Sequence, residues 1–142
     1  MSLYGRFKTN ENRETQGIEV ELHEAPNDDG SIPTFIVSRM GGSNKAYTRT
    51  LEKLTKPLRR QSDMGLLGEE VLRPIVRKAF CEAVLKGWRN VFDENGKPVP
   101  YSLEAATKLM EDLPALYDIL SSEASTLSNF RDKAIETESG KS

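Results

Sequence analysis

His23 and Cys81 are the only histidine and the only cysteine in this chain of 142 residues. Any serine or cysteine hydrolase chemistry would need His23 as its base, because such nucleophiles are activated by a neighbouring imidazole. His23 stands beside Glu24 at the end of a strand-like run, with no nucleophile motif near it, and reads as a surface histidine. Cys81 falls between Phe80 and Glu82 in an apolar helical stretch, where a small thiol packs as a hydrophobe. One cysteine with one histidine completes neither a zinc site nor an intrachain disulfide. The acidic pairs Glu69-Glu70 and Glu111-Asp112 are adjacent in sequence, and adjacent helical residues do not face one another. They therefore do not converge as a general acid and base. The expectation is a protein with no catalytic centre, no metal and no cofactor.

Two loops and one charged stripe have binding chemistry instead. Gly41-Gly42-Ser43-Asn44-Lys45 could cradle an anion at a helix start, but it lacks the spacing of a phosphate loop and reads as a strand-to-helix turn with a cap. Asp93-Glu94-Asn95-Gly96 carries carboxylates without calcium-loop spacing, and reads as a turn in a stiff connector pinned by Trp88 and Tyr101. Lys45, Arg49, Lys53, Lys56, Arg59 and Arg60 form a basic helical face opposed only by Glu52. The segment before it is acidic, with Glu11, Glu14, Glu19, Glu21, Glu24, Asp28 and Asp29. Such asymmetry reflects internal pairing or a partner of opposite sign. The stripe has no interleaved aromatics for stacking on single-stranded nucleic acid.

The elements that must position these residues follow from periodicity. Residues 1–16 are polar and aperiodic and read as a flexible arm. Ile18, Val20 and Leu22 alternate with Glu19 and Glu21, and Thr34–Met40 is β-branched, so 17–40 is predicted to be a hairpin around the Asn27–Ser31 turn. Helices are predicted at about 44–60, 68–90, 102–112 and 114–127. Pro57 should disturb the first, Pro74 the start of the second, and Ser102 should cap the third. Residues 131–142 are predicted to be a disordered tail. The fold class expected is mainly α (α+β): a small N-terminal β-hairpin packed on a bundle of about four helices, in a single domain at 17–130.

Apolar residues make up 37% and charged residues 30%, with a net charge of −2, which argues against a disordered chain. No apolar run approaches the roughly 20 residues of a membrane span. The N-terminal stretch lacks an apolar signal-peptide region, and the expected compartment is a reducing cytosol.

Across nearly its whole length the chain resembles the tail assembly chaperones of long-tailed bacteriophages. The resemblance is carried by SLYGRFKT, GIEVEL and SRMGGSNKAYTRTLEKLTKPLRRQ, then by GW-x-x-V-x-DENG-x-PVPYS-x-E-x-A, LPALYDIL and A-x-x-x-x-NF, in that order. It implies a mostly helical protein of the host bacterial cytoplasm that coats the tape measure protein, keeps it soluble and helps recruit tail tube subunits. It also implies self-association, and often a longer frameshifted form. No binding residues carry over from the family. The candidate partner-binding residues are the stripe Lys45, Arg49, Lys53, Lys56, Arg59 and Arg60, with Trp88 and Tyr101. Two other readings stand beside it: a virion tail tube or connector protein, which would be richer in strand, and a small nucleic-acid-binding regulator using the basic face at 45–60.

Overall fold

The computed structural model describes residues 2–131. The expected tail at 131–142 therefore lies outside the described residues except for Arg131. The N-terminal segment is not an aperiodic arm. Helix α1, Leu3–Phe7, is capped by the Ser2 hydroxyl, which accepts the Gly5 N–H at 3.1 Å. Helix α2, Glu11–Gln16, is capped by Asn10, whose side chain accepts the Arg13 N–H at 3.1 Å. Both are short helices started by good N-caps, a signal that operates without apolar periodicity. Helix α2 is tied to the far end of the chain: Asn10 N–H donates to the Phe130 carbonyl at 2.8 Å, and Arg13 Nη2 donates to the Asn129 carbonyl at 2.8 Å.

Strand β1, Ile18–Glu21, and strand β2, Thr34–Val37, pair antiparallel with Val20 opposite Phe35 and Ile18 opposite Val37. Phe35 and Val37 are buried and Glu19 and Glu21 are exposed, as the alternation in β1 requires. Next come helix α3, Ala46–Thr55, a 3-10 turn at Lys56–Leu58 around Pro57, and helix α4, Arg59–Asp63. Proline removes one helical hydrogen bond, and the tightened turn at Pro57 is where that loss is absorbed.

The expected helix 68–90 is where the anticipated fold class fails. Helix α5 spans Glu69–Ala83, runs regularly through Pro74, and passes directly into strand β3, Leu85–Arg89. Strand β3 pairs antiparallel with β2, setting Trp88 opposite Phe35 and Gly87 opposite Ile36, so the sheet has three strands in the order β1-β2-β3. A hairpin on a four-helix bundle is thus replaced by a three-stranded antiparallel sheet whose third strand comes from mid-chain. Val84 and Trp88 fit a helical stripe by spacing, but two forces oppose continuation. Gly87 weakens a helix interior, and an unpaired β2 edge would leave backbone groups exposed. Ser38 then closes the helix. It is fully buried, its N–H donates to the Val84 carbonyl at 2.8 Å, and its hydroxyl donates to the Ala83 carbonyl at 3.1 Å. These are carbonyls that a helix end leaves without partners.

Helix α6, Leu103–Asp112, starts at Ser102, whose hydroxyl accepts the Ala105 N–H at 3.0 Å. Helix α7, Pro114–Ala124, begins on proline, which suits a first helical position, and ends before a 3-10 turn at Leu127–Phe130. Helix α5 packs against both α3 and α6, and α7 reaches β2. The core gathers Phe35, Val37, Phe80, Val84, Met110 and Leu120, with the Phe80 and Tyr117 rings edge to face at 5.2 Å.

Candidate functional site

The 3-10 turn at Pro57 interrupts the basic helical segment, and a groove runs beside it. A cleft of about 960 Å³ opens between α3, the Lys56–Leu58 turn and α4 on one side and the start of α5 on the other. Arg49, Lys53, Lys56 and Arg59 line it, with Glu52 and Asp63 among them and Leu67 and Leu72 as apolar lining. All four cations are exposed, and among the described residues none of them makes an ion pair. Met64, Leu66 and Val71 are exposed near its α4–α5 end, unusual for large apolar side chains in one short segment. Lys45 and Arg60 are also exposed but do not line the groove. The acidic N-terminal residues do not neutralise the stripe. Glu14 pairs with Arg39, Glu19 with Arg89 at 2.7 Å, and Glu21 with His23 at 2.8 Å.

The glycine turn has its anion already. Glu14, at 0% exposure, places its carboxylate against the Ser43 hydroxyl, the Thr9 hydroxyl and the Arg39 guanidinium, and accepts the Ser43 N–H at 3.0 Å. Burial raises the Glu14 pKa, but the hydrogen bonds from Thr9, Arg39 and Ser43 outweigh it and hold the carboxyl below its ordinary value. Gly42 has φ +60°, and a Cβ there would lie 2.3 Å from Arg39 Nη1, so the guanidinium lies in the space a side chain would take. Asn44 supports the turn from the other side: its amide donates to the Arg39 carbonyl at 2.9 Å and its oxygen accepts the Ala46 N–H at 3.3 Å. The turn is an internal latch joining α2 to α3. Glu14 and Arg39 carry no sequence motif, and nothing in the sequence pattern singled them out.

Trp88 and Tyr101 belong to a separate place. Trp88 Nε1 donates to the Val99 carbonyl at 2.7 Å, and Tyr101 OH donates to the Leu85 carbonyl at 2.8 Å. Their rings meet edge to face at 5.1 Å, and Trp88 meets Phe35 likewise at 5.9 Å. Asp93 closes the intervening turn, one carboxylate oxygen accepting the N–H groups of Asn95 at 2.8 Å and Lys97 at 2.9 Å. The stretch is a connector that fixes β3 to α6, and the structure does not bring it together with the basic groove.

The side chains with catalytic potential are not assembled. His23 is exposed beside Glu21. Cys81 is buried, and burial pushes its thiol up to about 11, which leaves it unreactive near neutrality. Glu69 bridges to Arg73 at 3.1 Å and Asp112 to Lys108 at 2.8 Å, one turn apart on their helices. Among the described residues no group of His, Cys, Asp and Glu is arranged to hold a metal, and no helix is long and apolar enough to cross a membrane.

The sequence stripe missed the apolar half of the site. A hollow of about 430 Å³ adjoins the groove, with Leu72 lining both, and is bounded by Val76, Arg77 and Tyr117. The Arg77 guanidinium lies 5.7 Å from the centroid of the Tyr117 ring, and burial pushes the Tyr117 phenol up to about 12, keeping it neutral.

A family model described as YdaY prophage protein matches residues 42–141. The match takes in the groove, the connector and α5 to α7, and begins after β2, so Glu14, Arg39 and the first two strands lie outside it. No curated protein matches the chain, and no solved structure matches it.

Proposed function

Since the chain belongs to the YdaY prophage protein family, we propose that this phage-derived protein is a tail assembly chaperone, acting by binding and not by catalysis. In this reading it works in the host cytoplasm, binds the tape measure protein, keeps it soluble and helps bring tail tube subunits to it. The observation that carries the reading is the open groove of about 960 Å³ with Met64, Leu66 and Val71 exposed near its end. Large exposed apolar side chains beside a concave surface are what a helix-binding protein presents to its client. A chaperone of this kind needs that surface on a stable scaffold, and α3 packed on α5 supplies one.

The reading is tested by co-expressing the full chain with the tape measure protein of the same prophage and affinity-purifying the chain. Soluble, co-purifying tape measure is expected. A tape measure that stays insoluble beside a well-folded chain, and also beside any longer form made from the same gene, would sink it.

A further inference from the structure

We propose that the basic groove and the hollow along α5 form one docking trough, and that its occupant is an amphipathic helix whose flanks carry carboxylates. The tape measure assignment above is the client this would describe, and the inference rests on that reading only for the client's identity.

Continuity comes first. Leu72 lines both depressions, so the apolar lining of the groove, Leu67 and Leu72, meets that of the hollow, Val76 and Tyr117, at a shared wall. A helix laid in a groove buries apolar residues spaced three and four apart, and a lining of this kind is their complement. Charge is the second argument. Arg49, Lys53, Lys56 and Arg59 outnumber Glu52 and Asp63 along the groove, and none of the four makes an ion pair among the described residues. Glu14 and Glu19 of the acidic N-terminal segment are engaged elsewhere and do not supply the complementary charge, which a partner's carboxylates would.

Arg77 supplies an independent third observation. Its Nε is buried and has no hydrogen-bond partner among the described residues. Asp118 lines the same hollow yet makes no ion pair with it. Arg77 also lines the hollow, so a carboxylate arriving on a partner helix would meet a guanidinium that has no carboxylate partner among the described residues. Nucleic acid fits less well. The lining is leucine and valine, its one aromatic ring is already packed edge-on against Phe80, and Glu52 and Asp63 would oppose phosphates.

The test uses the full chain, isotopically labelled, and three probes. One is a synthetic amphipathic peptide of about five helical turns with a leucine stripe flanked by glutamates. The second has the same stripe flanked by lysines. The third is a single-stranded oligonucleotide. The glutamate peptide is expected to bind, to weaken as salt rises, and to shift the amides of Lys53, Arg59, Leu72 and Arg77. The lysine peptide should bind at least about tenfold more weakly, and the double variant Lys56→Glu, Arg59→Glu should reverse that preference by a similar factor. Equal binding of both peptides, shifts confined to other surfaces such as Leu3, Tyr4 and Phe7, or binding of the oligonucleotide alone would overturn the proposal. Both substituted residues are exposed, so the fold is retained, and the peptide charge swap on the unaltered chain needs no variant. Co-expression separates the two readings. Tape measure solubilised by a chain that ignores the glutamate peptide removes the trough and keeps the chaperone. Peptide binding by a chain that leaves the tape measure insoluble does the reverse.

Discussion

The Glu14 carboxylate and the Arg39 guanidinium form an ion pair across 25 positions of sequence, with Glu14 fully buried and the Arg39 side chain 19% exposed. The pair joins a helix of six residues, too short to stand alone, to the segment that leaves the central strand. The Arg39 N–H also donates to the Glu14 carbonyl at 2.8 Å, so backbone and side chain hold the same junction.

Replacing Glu14 by alanine would leave Arg39 half-sheltered without its counter-charge and strand the Ser43 and Thr9 donors. Breaking a buried pair from one side costs about 3 kcal/mol. For a domain of this size that is a fall in Tm of roughly 10 °C, read by thermal denaturation. The acid limb carries the same information. The folded pKa of Glu14 lies below its ordinary value of 4.5. Its stabilisation is therefore complete above the unfolded pKa and is lost as pH falls through the folded one. The native chain should lose stability below about pH 4.5 more steeply than Glu14→Gln, and equal acid slopes would show that the latch is not built as described.

Gly42 tests the same latch from the other side. A methyl group there meets the Arg39 guanidinium, which is the free end of a flexible side chain and can move, but only by leaving Glu14. The positive φ adds its own cost, about 1 kcal/mol for alanine. Gly42→Ala should destabilise by about 2 kcal/mol alone and by about 1 kcal/mol in a Glu14→Ala background, where the φ cost remains but the Arg39–Glu14 interaction is already gone. Additive losses in chemical denaturation would mean that the two sites act independently.

What the sequence reveals divides along physical lines. The β1 alternation, the Ser102 cap and the disturbance at Pro57 are local effects of side-chain chemistry, and all three are present in the structure. The basic stripe was legible because charge repeats with the helical period. The third strand was not, since Val84 and Trp88 satisfy helical and strand spacing alike and the deciding factor is β2, some 50 residues earlier, in need of a partner. The latch was hidden for the same reason: Glu14 reads as one more acid in a polar arm until Arg39 and Ser43 are folded over it. Leu72 fits the apolar face of α5 by spacing, and only the folded chain shows that α3, the Pro57 turn and α4 leave it at the wall of a groove.

Ser38, just past β2, holds the point where helix α5 becomes strand β3. Its hydroxyl donates to the Ala83 carbonyl from a fully buried position. Ser38→Ala should cost about 1–2 kcal/mol, the usual penalty for a buried acceptor losing its donor. Amide exchange of Trp88 and Gly87, whose strand begins there, should quicken more than that of β1. Uniform acceleration across the sheet would place the weak point elsewhere.

Trp88 and Tyr101 are candidates for partner contact, and their geometry gives them a structural role in the connector. The Tyr101 hydroxyl donates to the Leu85 carbonyl and its ring packs on Trp88, so Tyr101→Phe keeps the packing and removes one hydrogen bond. The expected loss is about 1 kcal/mol, or a few degrees in Tm. Trp88 is the only tryptophan, so its fluorescence reports this locus alone. Emission should shift toward longer wavelength in Trp88's looser surroundings, while client capture stays unchanged because neither residue lines the groove. Loss of client capture in a Tyr101→Phe chain that remains as folded as the native one would return the connector to the binding surface.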